Sequence, residues 1–310
     1  MIALLFPGQG SQAAGMGCDL YDTYPVARDT FDEASEVLGY DLTAVCRVGD
    51  PERLARTEIT QPALLAHSVA ALRVLREGGF TFDAALGHSL GEYSALVATG
   101  ALGFRQAVAL VKERGHAMAA AAARNPGAMF AVLGLDAAAV DALCAGLAQT
   151  WPANYNCPGQ VVVSCADEAA AAVEEAARAA GARRVLRLAV GGAFHSPLVA
   201  AAAAELHEPL AAATWSTPAP AFLSTCSAAF ESDGFPALLE RQLVSPVRFE
   251  QSVRALAAAG YTTYLEVGPG AVLTGLVKRI DGAAATATAG DVGSLVSVLE
   301  GGLQAGEAER

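Results

Sequence analysis

The apolar run Ala84–Gly87 leads without a break into His88-Ser89-Leu90-Gly91 and then into a helix-forming stretch that reaches about Thr99 and closes at Gly100. A strand that turns directly into a helix through G-x-S-x-G has few ways to fold. The glycines permit a tight turn and close packing, and the serine hydroxyl stands clear at the helix N-terminus, where the helix dipole and a free backbone N–H can stabilise an oxyanion. The pentapeptide alone is common; the strand before it and the helix after it give it weight. Around it, Ile2–Phe6 reads as a short strand broken by Pro7-Gly8. A helical pattern runs over 62–77, starting at Pro62 and ended by Gly78-Gly79, and another over Phe104–Ala123. Strands alternating with helices predict an α/β protein whose mostly parallel sheet is covered on both faces.

From Pro126 the rhythm changes. Met129–Leu133, Ala153–Asn156, Val161–Cys165 and Arg184–Val190 read as strands, with helices over Asp136–Ala148 and Asp167–Ala180. The order β-α-β-β-α-β is the split pattern of a ferredoxin-like unit. The expected division is therefore a catalytic unit formed by 1–125 and 192–310, interrupted by a small unit at 126–191. The Gly- and Glu-rich tail after Leu299 is expected to fray.

The chain has 310 residues, 53% of them hydrophobic and 17% charged, which excludes disorder over most of its length and allows a large core. No apolar run reaches the roughly 18 residues of a membrane span. The opening residues go straight into Pro7-Gly8 without a basic leader, so a cytoplasmic protein is expected, and a monomer. Six cysteines without a C-x-x-C pair read as reduced thiols, mostly core filler. A net charge of −12 argues against nucleic acid and anionic membranes as partners.

The best partner for Ser89 is His195, in Gly192-Ala193-Phe194-His195-Ser196-Pro197 at the start of a predicted helix. No acidic residue stands out as a third member; Asp136, Asp141 and Asp167 look like helix caps or solvated faces. A dyad, its imidazole oriented by a backbone carbonyl, is then expected rather than a triad. His88 is assigned to packing, and His67, His116 and His207 to surface or core. Gly8-x-Gly10-x-x-Ala13 mimics a dinucleotide fingerprint, but no long helix and no acid-terminated second strand follow. A glycine-rich turn that presents backbone N–H groups suits an oxyanion hole equally well.

Eight ordered motifs span nearly the whole chain: FPGQGSQ at 6–12, TQPAL at 60–64, GHSLGEYSAL at 87–96, RG at 114–115, NYNCPGQVV at 154–162, GAFHSPL at 192–198, RQLVSPVRF at 241–249 and EVGPGAVLTGL at 266–276. Together they resemble the malonyl-CoA:acyl carrier protein transacylases, including the acyltransferases of polyketide synthases. The resemblance implies an α/β-hydrolase-like large domain with an inserted ferredoxin-like one, and malonyl transfer from coenzyme A to an acyl carrier protein without a metal or redox cofactor. It implies Ser89 as nucleophile, His195 as base and the main-chain carbonyl of Gln242 as the imidazole's partner. The N–H groups of Gln9 and Leu90 would form the oxyanion hole, and Arg114 would fork onto the malonyl carboxylate. Gln61 and Asn156 would support the site by hydrogen bonding. Phe194 would fill the space an α-methyl needs, a discrimination worth roughly 1–3 kcal/mol. A same-fold hydrolase that clears carrier proteins is the alternative, but it needs no carboxylate-binding arginine. Carrier proteins are acidic, so a local basic field is required; Arg183, Arg184 and Arg187, with Lys278 and Arg279, are the candidates.

Overall fold

The computed structural model describes residues 1–301. Its strands in chain order are β1 (Ile2–Phe6), β2 (Ala84–Gly87), β3 (Gly127–Leu133), β4 (Thr150–Cys157), β5 (Gln160–Ala166), β6 (Arg184–Arg187), β7 (Ala221–Ser224), β8 (Ala229–Glu231), β9 (Thr263–Val267) and β10 (Ala285–Ala289). The large sheet has the order β10-β9-β1-β2-β7-β8, parallel except for the β7–β8 hairpin. Strand alternation divides its faces. Leu4, Phe6 and Ala85 join the core under the helices Thr57–Glu77 and Phe104–Arg124, while Ala3, Leu5, Ala84 and Leu86 face the helices Phe249–Ala258 and Val272–Ile280. This is the expected α/β-hydrolase-like layer.

The small sheet has the order β4-β5-β3-β6 with every neighbouring pair antiparallel, the arrangement a ferredoxin-like β-α-β-β-α-β unit requires. Phe130, Val132, Val161 and Val163 pack on Val140 and Val173 of its two helices. The opposite face carries Met129, Ala131 and Val162, which belong to the large core. One face of the insert thus looks onto the large sheet, and a cleft lies between them.

Three expectations shift in detail. The helix predicted from Pro62 begins at Thr57, and Pro62 lies inside it. Gly115 allows this early start to pack, since a Cβ there would come within 2.8 Å of Glu58 Cα. The last strand of the insert ends at Arg187 rather than Val190. His195 does not open a helix; Ser196 caps a short 3₁₀ turn, Pro197–Val199, that leads into the helix Ala200–Ala212. Beyond residue 301 the tail expected to fray lies outside the described residues.

Because β1 and β2 are parallel neighbours, with Phe6 paired to Gly87, both end at the same edge of the sheet. The Gly8-Gln9 turn and Ser89 therefore emerge side by side, where ligands bind in open α/β sheets. The approach is tight. A Cβ at Gly87 would lie 1.8 Å from the Gly91 carbonyl carbon, one at Gly91 2.0 Å from the Phe6 oxygen, and one at Gly8 2.4 Å from the His88 oxygen. Gly87→Ala should therefore destabilise the protein by about 1–3 kcal/mol or more. Gly275→Ala, in a helix with nothing within 4 Å of the new methyl, should stabilise it by about 0.5–1 kcal/mol. Thermal unfolding of the two variants tests the contrast, and equal melting temperatures would contradict it.

Candidate active site

Ser89 sits at φ +53°, a left-handed conformation in which an L-residue is strained. It follows β2 and precedes the helix Gly91–Ala98, so the strain turns its hydroxyl out of the sheet edge. His195 is another such residue, at φ +57°. The two meet: Ser89 Oγ lies 2.8 Å from His195 Nε2. On the other side of the ring, Nδ1 lies 3.0 Å from the Gln242 carbonyl oxygen and 3.1 Å from that of Ser245. Carbonyls only accept, so Nδ1 carries the hydrogen and Nε2 is free to take the serine proton. Main-chain oxygens stand where a triad would have an acid. Asp136 instead caps the helix Ala137–Ala145, Asp141 accepts from Tyr155 Oη, and Asp167 pairs with Arg187.

Arg114 is 1% exposed. Its Nη2 donates to Ser89 Oγ at 3.0 Å and to Gln242 Oε1 at 3.0 Å, and its Nη1 donates to Gln61 Oε1 at 2.7 Å. Its carbon lies 5.7 Å from the Tyr93 ring centroid, and its Nε has no partner among the described residues. Burial pulls the guanidinium below its usual value, opposed by Tyr93 and, at a distance, Glu92. A buried cation without an ion-pair partner is costly unless a ligand supplies the counter-charge.

Gln9 and Leu90 line the same pocket as Ser89. Among the described residues neither backbone N–H meets an acceptor within the protein, so both are free to receive an oxyanion. Phe194, Met118, Met129 and Leu188 supply the apolar wall. The pocket holds about 70 Å³ and shares Gln9, His88, Asn154, Leu188 and Val190 with the wider cleft between the sheets.

Asn156 does not touch the dyad. Its Oδ1 lies 3.0 Å from His88 Nε2, and His88 tilts against Phe249 at 5.8 Å, the packing role expected of it. Sequence reasoning missed Asn154, whose Oδ1 is buried without a partner in the pocket wall, and the side chain of Gln242. Strand alternation from Asn156 could have found Asn154; nothing local signalled Gln242. Of the basic residues, Arg183 and Arg184 are exposed at the insert's edge, with Arg184 on the sheet face opposite Val185 and the helices. Arg187 packs on Phe130 and pairs with Asp167 on the helix-covered face. Arg279 donates to Gln160 Oε1 at 2.7 Å and to the Pro158 carbonyl at 3.0 Å, joining the large unit to the β4–β5 turn, while Lys278 is exposed.

Among the described residues no group of His, Cys, Asp and Glu could hold a metal ion, and no helix is long and apolar enough to cross a membrane.

Burial pushes the His195 imidazole down to about 3, and the Arg114 charge acts in the same direction, against the bonds to Gln242 and Ser245. Burial also pushes His67 down to about 4. Both rings are neutral in the folded state and take up protons near 6.5 once unfolded. Their contribution to stability is complete above pH 6.5 and is lost as pH falls through the folded values. Thermal stability should therefore drop between about pH 6.5 and 4, whereas kcat/KM for acyl-enzyme formation should show no inflection near 6.5. An inflection there would contradict a buried neutral base.

The acyl transferase domain family model matches residues 3–297. Among curated proteins, the malonyl CoA-acyl carrier protein transacylase of Bacillus subtilis is 45% identical over 90% of this chain and 90% of its own length. That of Escherichia coli K12 is 42% identical over 96% of this chain and 98% of its own. Among solved structures, a malonyl-transacylase in complex with a holo type II polyketide synthase acyl-carrier protein superposes with a TM-score of 0.93 at 43% identity, covering 96% of this chain and 99% of that one. The Streptococcus pneumoniae enzyme gives 0.92 at 43%, covering 97% and 99%. With a serine–histidine dyad at a strand–helix elbow and a match along almost its whole length, this chain belongs to the acyl transferase domain family.

Proposed function

We propose that the chain transfers a malonyl group from coenzyme A to the phosphopantetheine thiol of an acyl carrier protein through a Ser89-linked ester. The observation that carries this reading is Arg114: a buried guanidinium without an ion-pair partner among the described residues, 3.0 Å from the nucleophile. A thioester carbonyl attacked by Ser89 places the far carboxylate of a three-carbon diacid within reach of that guanidinium. An acyl hydrolase of the same fold has no use for such a charge.

In the first half-reaction the Ser89 proton passes to His195 Nε2 as the Oγ–C bond forms. The oxyanion falls to the N–H groups of Gln9 and Leu90. The C–S bond then breaks and the proton leaves with the coenzyme A thiol. In the second half the carrier's thiol gives its proton to His195 and attacks the ester, and Ser89 recovers the proton as Oγ–C breaks. Every proton is moved by His195, so the cycle calls for no metal or redox cofactor. Substrate charge assists the first step. Arg114 depresses His195, and a malonyl carboxylate on Arg114 offsets that effect, making the imidazole more basic when it must accept a proton. Phe194 crowds the pocket beside His195 and favours malonyl over α-methylated units. Chemistry of this kind belongs in the cytoplasm, where acyl-CoA and carrier proteins meet.

Intact-mass measurement should find one malonyl adduct, absent in Ser89→Ala. Arg114→Ala should lose about 3–5 kcal/mol in kcat/KM for malonyl-CoA, the cost of leaving a buried carboxylate without its partner, and gain relative activity with acetyl-CoA. Unchanged malonyl preference in that variant would refute the assignment.

For the second half-reaction, residues 126–191 act as one inserted unit and the carrier enters between it and the unit formed by 1–125 and 192–310. The net charge of −12 repels an acidic partner at long range, so docking depends on local cations. Arg183 and Arg184 have no ion-pair partner among the described residues, and Lys278 is exposed on the helix Val272–Ile280; Arg187 and Arg279 are already engaged within the protein. The double variant Arg183→Glu, Arg184→Glu should raise KM for the carrier and weaken its salt dependence, with Ser89 acylation by malonyl-CoA unchanged. Equal loss in both half-reactions would place the docking surface elsewhere.

A further inference from the structure

We propose that the Gln242 side chain, opposite Gln61, is a positioning residue that holds Arg114 through neutral oxygens and so reserves its charge for the substrate carboxylate. The inference rests on the malonyl reading above and gives it a specificity device. Arg114 is gripped at both ends, Nη1 by Gln61 Oε1 at 2.7 Å and Nη2 by Gln242 Oε1 at 3.0 Å. Both glutamines are 1% exposed. A guanidinium this deeply buried is ordinarily matched by a carboxylate. None of the nine ion pairs among the described residues includes it. Two amide oxygens satisfy the geometry of the fork and leave its charge intact; a carboxylate in either place would accept the same hydrogen bond and cancel it.

The orientation of the Gln242 amide follows from its own contacts. Its Nε2 donates to the Ser89 carbonyl at 3.0 Å, so the oxygen end must face Arg114. Its main-chain carbonyl meanwhile accepts from His195 Nδ1 at 3.0 Å. One residue, at the end of the helix Phe235–Leu243, thus fixes the strained backbone of the nucleophile, the tautomer of the base and the place of the cation. Only the side-chain amide N and O change on substitution; the main-chain bond to His195 stays.

Gln242→Glu keeps the shape and places a carboxylate about where the amide oxygen stands, so Arg114 forms an internal ion pair. Gln242→Met removes both side-chain bonds and adds no charge. The test is the acylation half-reaction of the full chain, read by intact mass against malonyl-CoA and acetyl-CoA, which has no carboxylate to bind. Gln242→Glu loses the amide bond to the Ser89 carbonyl for both substrates, and beyond that common loss it should lower the ratio of malonyl-CoA to acetyl-CoA kcat/KM by about 100-fold, because a charge-assisted bond is lost to one substrate alone. Gln242→Met should raise KM for malonyl-CoA about ten-fold with a smaller change in kcat, as expected when a cation is mispositioned and not neutralised. The proposal is overturned if Gln242→Glu keeps the wild-type ratio of malonyl to acetyl loading. It is equally overturned if both substrates fall together in both variants, the behaviour of a residue that only supports the fold. A wild-type protein that loads acetyl as readily as malonyl would overturn the malonyl reading first, and this proposal with it.

Discussion

A buried guanidinium without an ion-pair partner among the described residues is the constraint around which this site is arranged. Removing a cation from water is costly, and attraction to an internal anion usually repays it. Here the repayment is withheld. Arg114 is held by two amide oxygens, the serine hydroxyl and the face of Tyr93, groups that satisfy its donors without neutralising it. Its field then reaches the base and joins burial in keeping His195 neutral. The charge that helps keep the base neutral is the one left unmatched by an ion pair among the described residues.

Strain in the reacting groups depends on the close contacts beneath them. Ser89 and His195 both adopt left-handed backbone conformations, each costing of order 1–3 kcal/mol. At Ser89 the turn is enforced by Gly87 and Gly91, which meet each other and the end of β1 at distances no side chain would allow. Glu92, buried in the next turn, accepts from Ser224 Oγ and the Thr225 amide and anchors the elbow helix to the strand beyond. At His195 the main chain is fixed on both sides: Ser164 Oγ donates to the Phe194 carbonyl, and Ser196 Oγ donates to that of Ala193. The insert therefore does more than wall the cleft, since Ser164 belongs to β5.

The two sheets are also joined through the segment that carries Gln242. The Tyr155 N–H donates to the Val247 carbonyl and the Val247 N–H donates to that of Ala153, at 2.8 Å each, and Arg279 reaches from the large unit to Pro158 and Gln160. Asn154 is held at that junction, in the pocket wall. The carbonyls that orient His195 come from residues a few positions before this link, so the register of the small sheet bears on the geometry of the base.

What the sequence determined by itself was whatever depends on neighbours along the chain. G-x-S-x-G between a strand and a helix located the proposed nucleophile, because the glycines are demanded by contacts within a few residues. Alternation of apolar positions separated the parallel sheet from the inserted antiparallel one, because side-chain period follows backbone geometry. The absence of a convincing third acid pointed to a dyad. Local pattern misplaced what tertiary packing decides: the helix start at Thr57, set by Gly115 of another helix, and the engaged state of Arg187 and Arg279. It was silent on the Gln242 side chain, which touches Ser89 and Arg114 across sequence separations of 153 and 128 residues. No periodicity links such positions; only the folded chain brings an amide, a strained serine and an unmatched cation to one point.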